Sequence, residues 1–204
     1  MSPHSTYDGD MDARHPMILD PRRSALIVVD MQERLLPSIP DAAALVATVV
    51  RWIEAARLLS VPVFATEQYR KGLGPTHAAI AAALADAPLP FDKTSFSVMG
   101  CGPFVAALRA SEATDVVLVG IETHVCVAQS AIDLLSVGYG VHLGLDAVGA
   151  GTVVGDRAGK ARMATAGVVS TCFEACVFDW MGDAAHPSFK AVQESVKASR
   201  RTPT

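Results

Sequence analysis

The stretch Gly120-Ile121-Glu122-Thr123-His124-Val125-Cys126-Val127 decides the fold of this 204-residue chain. It follows the apolar residues 116–119, which are typical of a strand covered on both faces. After it, residues 128–135 carry apolar side chains at helical spacing. Cys126 therefore lies where a parallel strand passes into a helix. Ligands of open α/β sheets bind outside the carboxyl ends of such strands.

The position of Cys126 predicts its chemistry. Unpaired backbone N–H groups at the start of a helix favour the thiolate, so we expect a lowered pKa for this thiol. The alternative interpretation is a small buried hydrophobic residue, which is the usual fate of a free cysteine. Its position, and two polar partners on other strands, favour the reactive thiol.

Strands and helices alternate along the rest of the chain. Apolar runs predict strands at residues 25–29, 61–65, 91–94, 115–120, 141–146 and 168–171. Between them, helices are predicted at residues 40–60, 77–86, 102–110, 123–137 and 155–166, with one or two more towards the carboxyl terminus. This alternation indicates a parallel sheet with helices on both faces. We therefore predict an α/β fold, a three-layer α/β/α arrangement around a mainly parallel, Rossmann-like sheet of about six strands.

Length and composition predict a flexible amino-terminal arm at residues 1–20 and a single domain at residues 21–204. The formal charge is −4, from 17 basic and 21 acidic residues, and the basic residues do not cluster, which argues against nucleic-acid binding. We expect no membrane segment and no secretory signal, since no apolar run is long enough to span a bilayer. Four cysteines at irregular positions predict a reduced, cytoplasmic protein.

Three polar residues follow or end predicted strands. Asp30 closes the first strand, Lys93 lies on the third, and Cys126 follows the fourth. The carboxyl ends of neighbouring parallel strands lie side by side, so the three side chains could meet in one crevice. There Asp30 could take the thiol proton while Lys93 offsets the negative charge. The alternative for Asp30 and Lys93 is an ordinary salt bridge at the edge of the sheet.

Together these residues resemble the isochorismatase-like cysteine hydrolases. The resemblance is carried by Asp30-Met31-Gln32, by the segment around Lys93 and by the residues 120–127, and it runs from about residue 24 to residue 197. It is strongest to the small isochorismatase domain-containing proteins. Their loop after the second strand is similar to residues 66–74, and their tail is similar to residues 181–190.

The resemblance implies a catalytic triad of Asp30, Lys93 and Cys126. It also implies a cis peptide bond between Ile121 and Glu122, and an oxyanion hole formed by the N–H groups of Glu122 and Cys126, which would stabilise a tetrahedral intermediate. A homo-oligomer is implied as well, with the carboxyl-terminal helices as contacts. We expect substrate contacts from Gln32, Tyr69, Phe96 and Thr123.

The chain departs from the family pattern in two places. Metal-binding nicotinamidases carry an Asp-x-His pair after the second strand, whereas this chain has Thr66-Glu67-Gln68-Tyr69 and no histidine before His77. A zinc or iron site needs about three converging ligands. We therefore expect no metal and no other cofactor, and a substrate other than nicotinamide. The isochorismatases proper lack the cysteine, so the presence of Cys126 favours hydrolysis of a C–N bond.

The predicted function is hydrolysis of an amide-type bond of a small molecule through a thioester on Cys126. The alternative is an oligomeric binding or scaffold protein with little or no activity on the same fold. His124 is predicted to face solvent or a subunit interface, because its side chain diverges from Cys126 at a helix start. The apolar segment around Cys172 and Cys176 is predicted to be core. A role for Glu67 or His124 in the site stays open at this point.

Overall fold

A computed structural model describes residues 14–15, 17–85 and 87–200. Its strands are β1 (Ser24–Val29), β2 (Val63–Gln68), β3 (Phe91–Lys93), β4 (Asp115–Ile121), β5 (Gly140–Gly149) and β6 (Val169–Thr171). Its helices are α1 (Ala42–Leu58), α2 (Arg70–Leu73), α3 (Ala78–Ala83), α4 (Gly102–Ala110), α5 (Ala128–Ser136), α6 (Val153–Ala166), α7 (Phe173–Met181) and α8 (Phe189–Ser199). A π-helical turn, Thr123–Val127, links β4 to α5.

The six strands form one parallel sheet in the order β3-β2-β1-β4-β5-β6. This confirms the predicted α/β fold with its parallel sheet. The chain builds outward from β1 on one side and then returns to its other side with β4, so the strand order reverses between these two strands. A crevice opens at such a switch point, at the carboxyl ends of the strands.

The two faces of the sheet are covered by separate hydrophobic clusters, as the alternation of side chains along a strand requires. Along β1, Leu26 and Val28 join one cluster while Ala25, Ile27 and Val29 join the other. The first cluster contains residues of α1, α3, α7 and α8, and its largest members, Trp52 and Trp180, meet edge to face. The second contains residues of α4, α5 and α6. The structure therefore has three layers.

The bounds of β2 differ from the prediction of residues 61–65. This strand begins only after Pro62 and continues through Thr66, Glu67 and Gln68, which read as loop in the sequence because they are polar. Thr66 and Glu67 are nonetheless buried, because each finds hydrogen-bond partners inside the fold. The extension carries Gln68 to the carboxyl edge of the sheet. A local apolar pattern does not reveal polar residues that are buried because distant groups satisfy their hydrogen bonds.

Two other predictions need correction. Of the arm predicted at residues 1–20, residues 1–13 and residue 16 lie outside the part of the chain that the structure describes. Leu19 is fully buried, and its backbone N–H donates to the carboxylate of Asp179 in α7. The packed part of the chain therefore begins before residue 21. In the segment predicted to be core, Cys176 is buried whereas Cys172 is exposed, because Cys172 precedes α7 and lies outside its packed face.

Within the described part of the chain, no helix is both long and apolar enough to cross a membrane.

Candidate active site

Asp30 follows β1 directly and is completely buried. Its backbone is in the left-handed region, with φ of 51°, which turns the chain away from the sheet at this point. Its N–H donates to the carbonyl of Thr66 at 3.1 Å, and its Oδ1 accepts from the Thr66 hydroxyl at 2.7 Å. The end of β2 therefore orients the carboxylate, and Oδ2 is left for other partners.

Lys93, the last residue of β3, supplies one of those partners. Its Nζ lies 2.8 Å from Oδ2 of Asp30 and 2.7 Å from Oε1 of Gln68, and the carbonyls of Ser95 and Phe96 are 3.2 and 3.1 Å away. The side chains of Lys93 and Asp30 are both inaccessible to solvent. A buried ammonium in this position is held by charge and by hydrogen bonds together, as a buried charge must be.

Cys126 lies in the π-helical turn between β4 and α5, and the peptide bond between Ile121 and Glu122 just before this turn is cis. The sulfur is 4.0 Å from Oε1 of Gln68 and within hydrogen-bonding reach of Asp30. Only 7% of Cys126 is exposed. The structure therefore brings Asp30, Lys93 and Cys126 together at the switch point of the sheet.

Close approach of backbones positions this turn. At the end of β4, Gly120 has φ of 112°, and a Cβ atom there would overlap the carbonyl oxygen of Val29. On the far side, Gly159 of α6 packs directly on the π-helical turn: a Cβ atom at this position would stand 2.8 Å from the Cα of His124 and from the carbonyl oxygen of Thr123. The hydroxyl of Thr123 donates to Asp156 of α6 at 2.9 Å. Two neighbouring elements therefore hold the turn in place.

The electrostatic surroundings of Cys126 contradict the lowered pKa that its position predicted. Burial of the sulfur, followed by the negative charge of Asp30, raises the pKa of the Cys126 thiol to about 12, although Lys93 acts in the opposite direction. Glu122 adds a smaller effect of the same sign as Asp30. Desolvation and the nearby carboxylates therefore outweigh both Lys93 and the effect expected from the helix start. At neutral pH the thiol is protonated.

Gln68 is part of this group of side chains, although it was missed in the sequence. Its Oε1 accepts from Lys93, and its Nε2 donates to the carbonyl of Thr94 at 2.9 Å, which fixes the orientation of the amide. A strand predicted to end at residue 65 leaves Gln68 in a loop. The signal that could have revealed it is its place at the end of the strand next to Asp30.

Two of the four residues predicted to contact substrate have their polar groups engaged within the fold. Gln32 is buried, and among the described residues its amide bonds to backbone groups, namely the carbonyls of Gln68 and Gly74 and the N–H of Gln68. Thr123 is buried and bonded to α6. Both side chains therefore position neighbouring segments, and the structure does not offer their polar atoms to a substrate.

Tyr69 and Phe96 are half exposed and adjoin Lys93. The N–H of Tyr69 donates to the carbonyl of Lys93 at 2.8 Å, and the carbonyl of Phe96 accepts from its ammonium. Two aromatic residues with exposed surface thus flank the base of the site. They are the predicted contact residues that the structure leaves available.

Glu67, whose role was left open by the sequence, is part of an internal network. One carboxylate oxygen accepts from the N–H and the hydroxyl of Thr76, both at 2.7 Å, and the other pairs with Arg70 at 2.7 Å. With these partners Glu67 ties the loop after β2 to the sheet. Among the residues that the structure describes, no group of three or more His, Cys, Asp or Glu side chains could hold a metal ion.

His124 and the side chain of Glu122 lie beside the site. The imidazole of His124 is partly buried against Gly155 of α6, and its Nδ1 is buried with no hydrogen-bond partner among the described residues. The close approach of α6 buries part of the imidazole, and a position at solvent or at a subunit interface stays a prediction. The carboxylate of Glu122 accepts from the N–H of Gly151 at 2.9 Å, which ties the turn to the segment after β5.

Comparison with known proteins shows which family and fold the chain resembles. A model of the isochorismatase domain matches residues 24–175. Isochorismatase domain-containing protein 1 of Salmo salar is 36% identical over 181 residues, which are 89% of this chain but only 63% of that relative. Among solved structures, the MAR1 ribonuclease of Caenorhabditis elegans is 38% identical with a TM-score of 0.82, covering 91% of this chain and 97% of that one.

A more distant structure shows the fold alone. The YcaC gene product of Escherichia coli, described as an octameric hydrolase of unknown specificity, is 22% identical with a TM-score of 0.77, covering 88% of this chain and 96% of that one. The matched domain spans most of the chain, and it includes the ends of β1, β3 and β4 with the residues that meet there. The chain therefore belongs to the isochorismatase domain family, a family of hydrolases.

Proposed function

We propose that this protein is a metal-independent cysteine hydrolase that cleaves an amide-type C–N bond of a small molecule. The observation that supports this proposal best is the meeting of the Cys126 thiol, the Asp30 carboxylate and the Lys93 ammonium at the switch point of the sheet. A carboxylate that contacts a buried thiol is placed to take its proton. Family membership supports hydrolysis as the reaction class.

The raised pKa of Cys126 determines how the first step proceeds. The thiol is neutral at rest, so its proton passes to Asp30 as the sulfur attacks the carbonyl carbon. We assign stabilisation of the resulting oxyanion to the N–H groups of Glu122 and Cys126, a contribution of about 3 kcal/mol per donor in comparable sites. Lys93 keeps Asp30 in place and balances its charge.

The remaining steps return the site to its resting state. The C–N bond of the tetrahedral intermediate breaks, and the amine leaves with the proton held by Asp30, which produces a thioester on Cys126. A water molecule then loses a proton to Asp30 and attacks the thioester. The carboxylic acid departs, and the sulfur recovers its proton from Asp30.

A panel of small primary amides tests this proposal. We expect ammonia release and a transient acyl adduct on Cys126, detected by mass spectrometry of the intact and digested protein. Replacement Cys126→Ser should abolish both signals. Cys101→Ser is the matched control, because Cys101 is a buried cysteine with a similar exposed fraction, 6% against 7%. Equal ammonia release by the wild type and the Cys126→Ser variant would rule out the mechanism.

A binding or scaffold protein without useful turnover is the second candidate function. The low exposure of Cys126 and its neutral thiol favour this alternative, because both slow nucleophilic attack. Absence of ammonia and of any adduct across the whole panel would support it. We further propose that the protein is cytoplasmic and that it forms a homo-oligomer. The octameric state of the Escherichia coli protein supports the second of these proposals.

A further inference from the structure

The cation at the centre of the site has no hydrogen bond left for a ligand. An ammonium group has three N–H donors. Around the Nζ of Lys93 lie four acceptors within 3.2 Å, namely Asp30, Gln68 and the carbonyls of Ser95 and Phe96. All three N–H donors of Lys93 are therefore engaged by acceptors of the protein itself. It balances Asp30 but cannot also bind a carboxylate of a substrate.

The charges that act on the Cys126 sulfur leave an excess of negative charge. Asp30 and Glu122 both disfavour an anion at this position, and Lys93 opposes them with one positive charge. Asp30 has the largest effect of the three. The side chain of Glu122 is held toward Gly151 rather than toward a cation. A second anion arriving next to the sulfur meets net repulsion.

The loop after β2 offers no compensating charge at its buried end. Arg70 pairs with the buried carboxylate of Glu67 at 2.7 Å. The neighbouring Tyr69 and, across Lys93, Phe96 present half-exposed aromatic rings instead. Aromatic surface favours apolar or flat neutral groups. The described charges that act on Cys126 therefore sum to a slight negative excess.

We propose, on the basis of the function proposed above, that this site selects neutral amides and disfavours substrates that carry a carboxylate beside the scissile carbonyl. The selection follows from an ammonium saturated by protein acceptors and from the excess of acidic side chains at the nucleophile. The same arrangement disfavours polyanionic substrates such as RNA.

Two alkylating reagents of nearly equal size test this selection without knowledge of the substrate. Iodoacetamide is neutral, whereas iodoacetate carries a carboxylate next to the reacting carbon. In both reactions the thiol proton passes to Asp30 or solvent, the sulfur bonds to the methylene carbon and iodide leaves. Labelling rates are measured for each cysteine by peptide mass spectrometry, and the exposed Cys172 serves as the internal reference.

We expect the rate ratio of iodoacetamide to iodoacetate at Cys126 to exceed the ratio at Cys172 by about tenfold or more, since one uncompensated charge several ångströms away has an effect of that size in a protein. Equal ratios at the two cysteines would overturn the selection but leave the hydrolase proposal intact. Failure of both reagents to label Cys126 would count against the hydrolase proposal as well, because the sulfur would then be inaccessible.

A pair of charge-neutralising variants sharpens the test. Glu122→Gln keeps an oxygen that can accept from Gly151 but removes the negative charge, so the ratio at Cys126 should fall severalfold. Glu54→Gln is the matched control, because Glu54 is exposed on α1, on the opposite face of the sheet. An unchanged ratio in Glu122→Gln would contradict the electrostatic explanation.

Discussion

Asp30 is proposed to act in two ways on the same sulfur. As a carboxylate in contact with the thiol it can accept the proton, yet as a negative charge it holds the pKa of Cys126 high. The two effects have the same cause, so they cannot be separated by moving the side chain. Removing the charge while keeping the shape abolishes both effects at once, and each effect has its own readout.

Replacement Asp30→Asn should therefore increase thiolate and abolish turnover at the same time. The pKa of Cys126 is expected to fall by at least about one unit, a tenfold rise in thiolate fraction below the pKa, because Lys93 then faces the sulfur without its carboxylate. Thiolate absorbance in the ultraviolet, titrated against pH, measures the shift. The Asp30→Asn, Cys126→Ser double variant supplies the background from the other cysteines.

The opposite change on the other side of Lys93 serves as the comparison. Gln68→Glu places a negative charge about where the amide oxygen lies, 4.0 Å from the sulfur, and should move the pKa of Cys126 upward. A titration in which Asp30→Asn and Gln68→Glu shift the thiol in the same direction would contradict our account of the site.

At the scale of elements, α6 supports the turn that carries Cys126. Gly155 and Gly159 are four residues apart on one face of the helix and let it approach the turn to backbone distance. Asp156 between them accepts from Thr123. The function of these two glycines as a close packing surface depends on the turn that lies opposite them, which no local sequence pattern reveals.

Gly159→Ala tests this packing. In an open helix the change would gain about 0.5–1 kcal/mol, but here the added methyl group meets the backbone of Thr123 and His124, and overpacking costs about 1–3 kcal/mol. We expect a net loss in the free energy of unfolding, measured in denaturant, and a severalfold change in the labelling rate of Cys126.

Gly102→Ala is the control for this prediction, because a Cβ atom at Gly102, the first residue of α4, meets nothing within 4 Å. Its stability should stay within about 0.5 kcal/mol of the wild type. If Gly159→Ala proved as stable as Gly102→Ala and labelled at the wild-type rate, α6 would have no part in positioning the turn.

At the scale of the whole molecule, the prediction to be tested is the oligomeric state. The family resemblance predicts contacts through the carboxyl-terminal helices, and Phe178 of α7 is a large apolar residue with exposed surface there. Sedimentation velocity should give a mass that is a multiple of 21.4 kDa. Phe178→Ser should shift the population toward smaller species, because an interface loses apolar contact area.

Leu89→Ser provides the comparison for assembly. Leu89 is exposed in the segment before β3, far along the chain from α7 and α8. Its replacement also removes exposed apolar surface and should leave the sedimentation profile unchanged. A wild-type protein that sediments as a monomer at all concentrations would show the oligomer prediction to be wrong.

Much of this architecture could be predicted from local patterns. The buried strands β1 and β4 are continuous apolar runs, and the polar residues just after them identified Asp30 and Cys126 as neighbours across the switch point. The predicted fold class is confirmed. Gln68 was missed because the polar end of β2 has no apolar signal, and its place in the site depends on partners elsewhere in the chain.

The sequence by itself determined the order of the layers and the placement of Asp30, Lys93 and Cys126 at one edge of the sheet, because strand periodicity and chain order are local properties. Only the tertiary structure decided the protonation state of Cys126, the saturation of Lys93 and the engagement of Gln32 and Thr123. Burial and electrostatic effects sum over all residues near a group in space. That sum cannot be obtained from the residues that neighbour the group in the sequence.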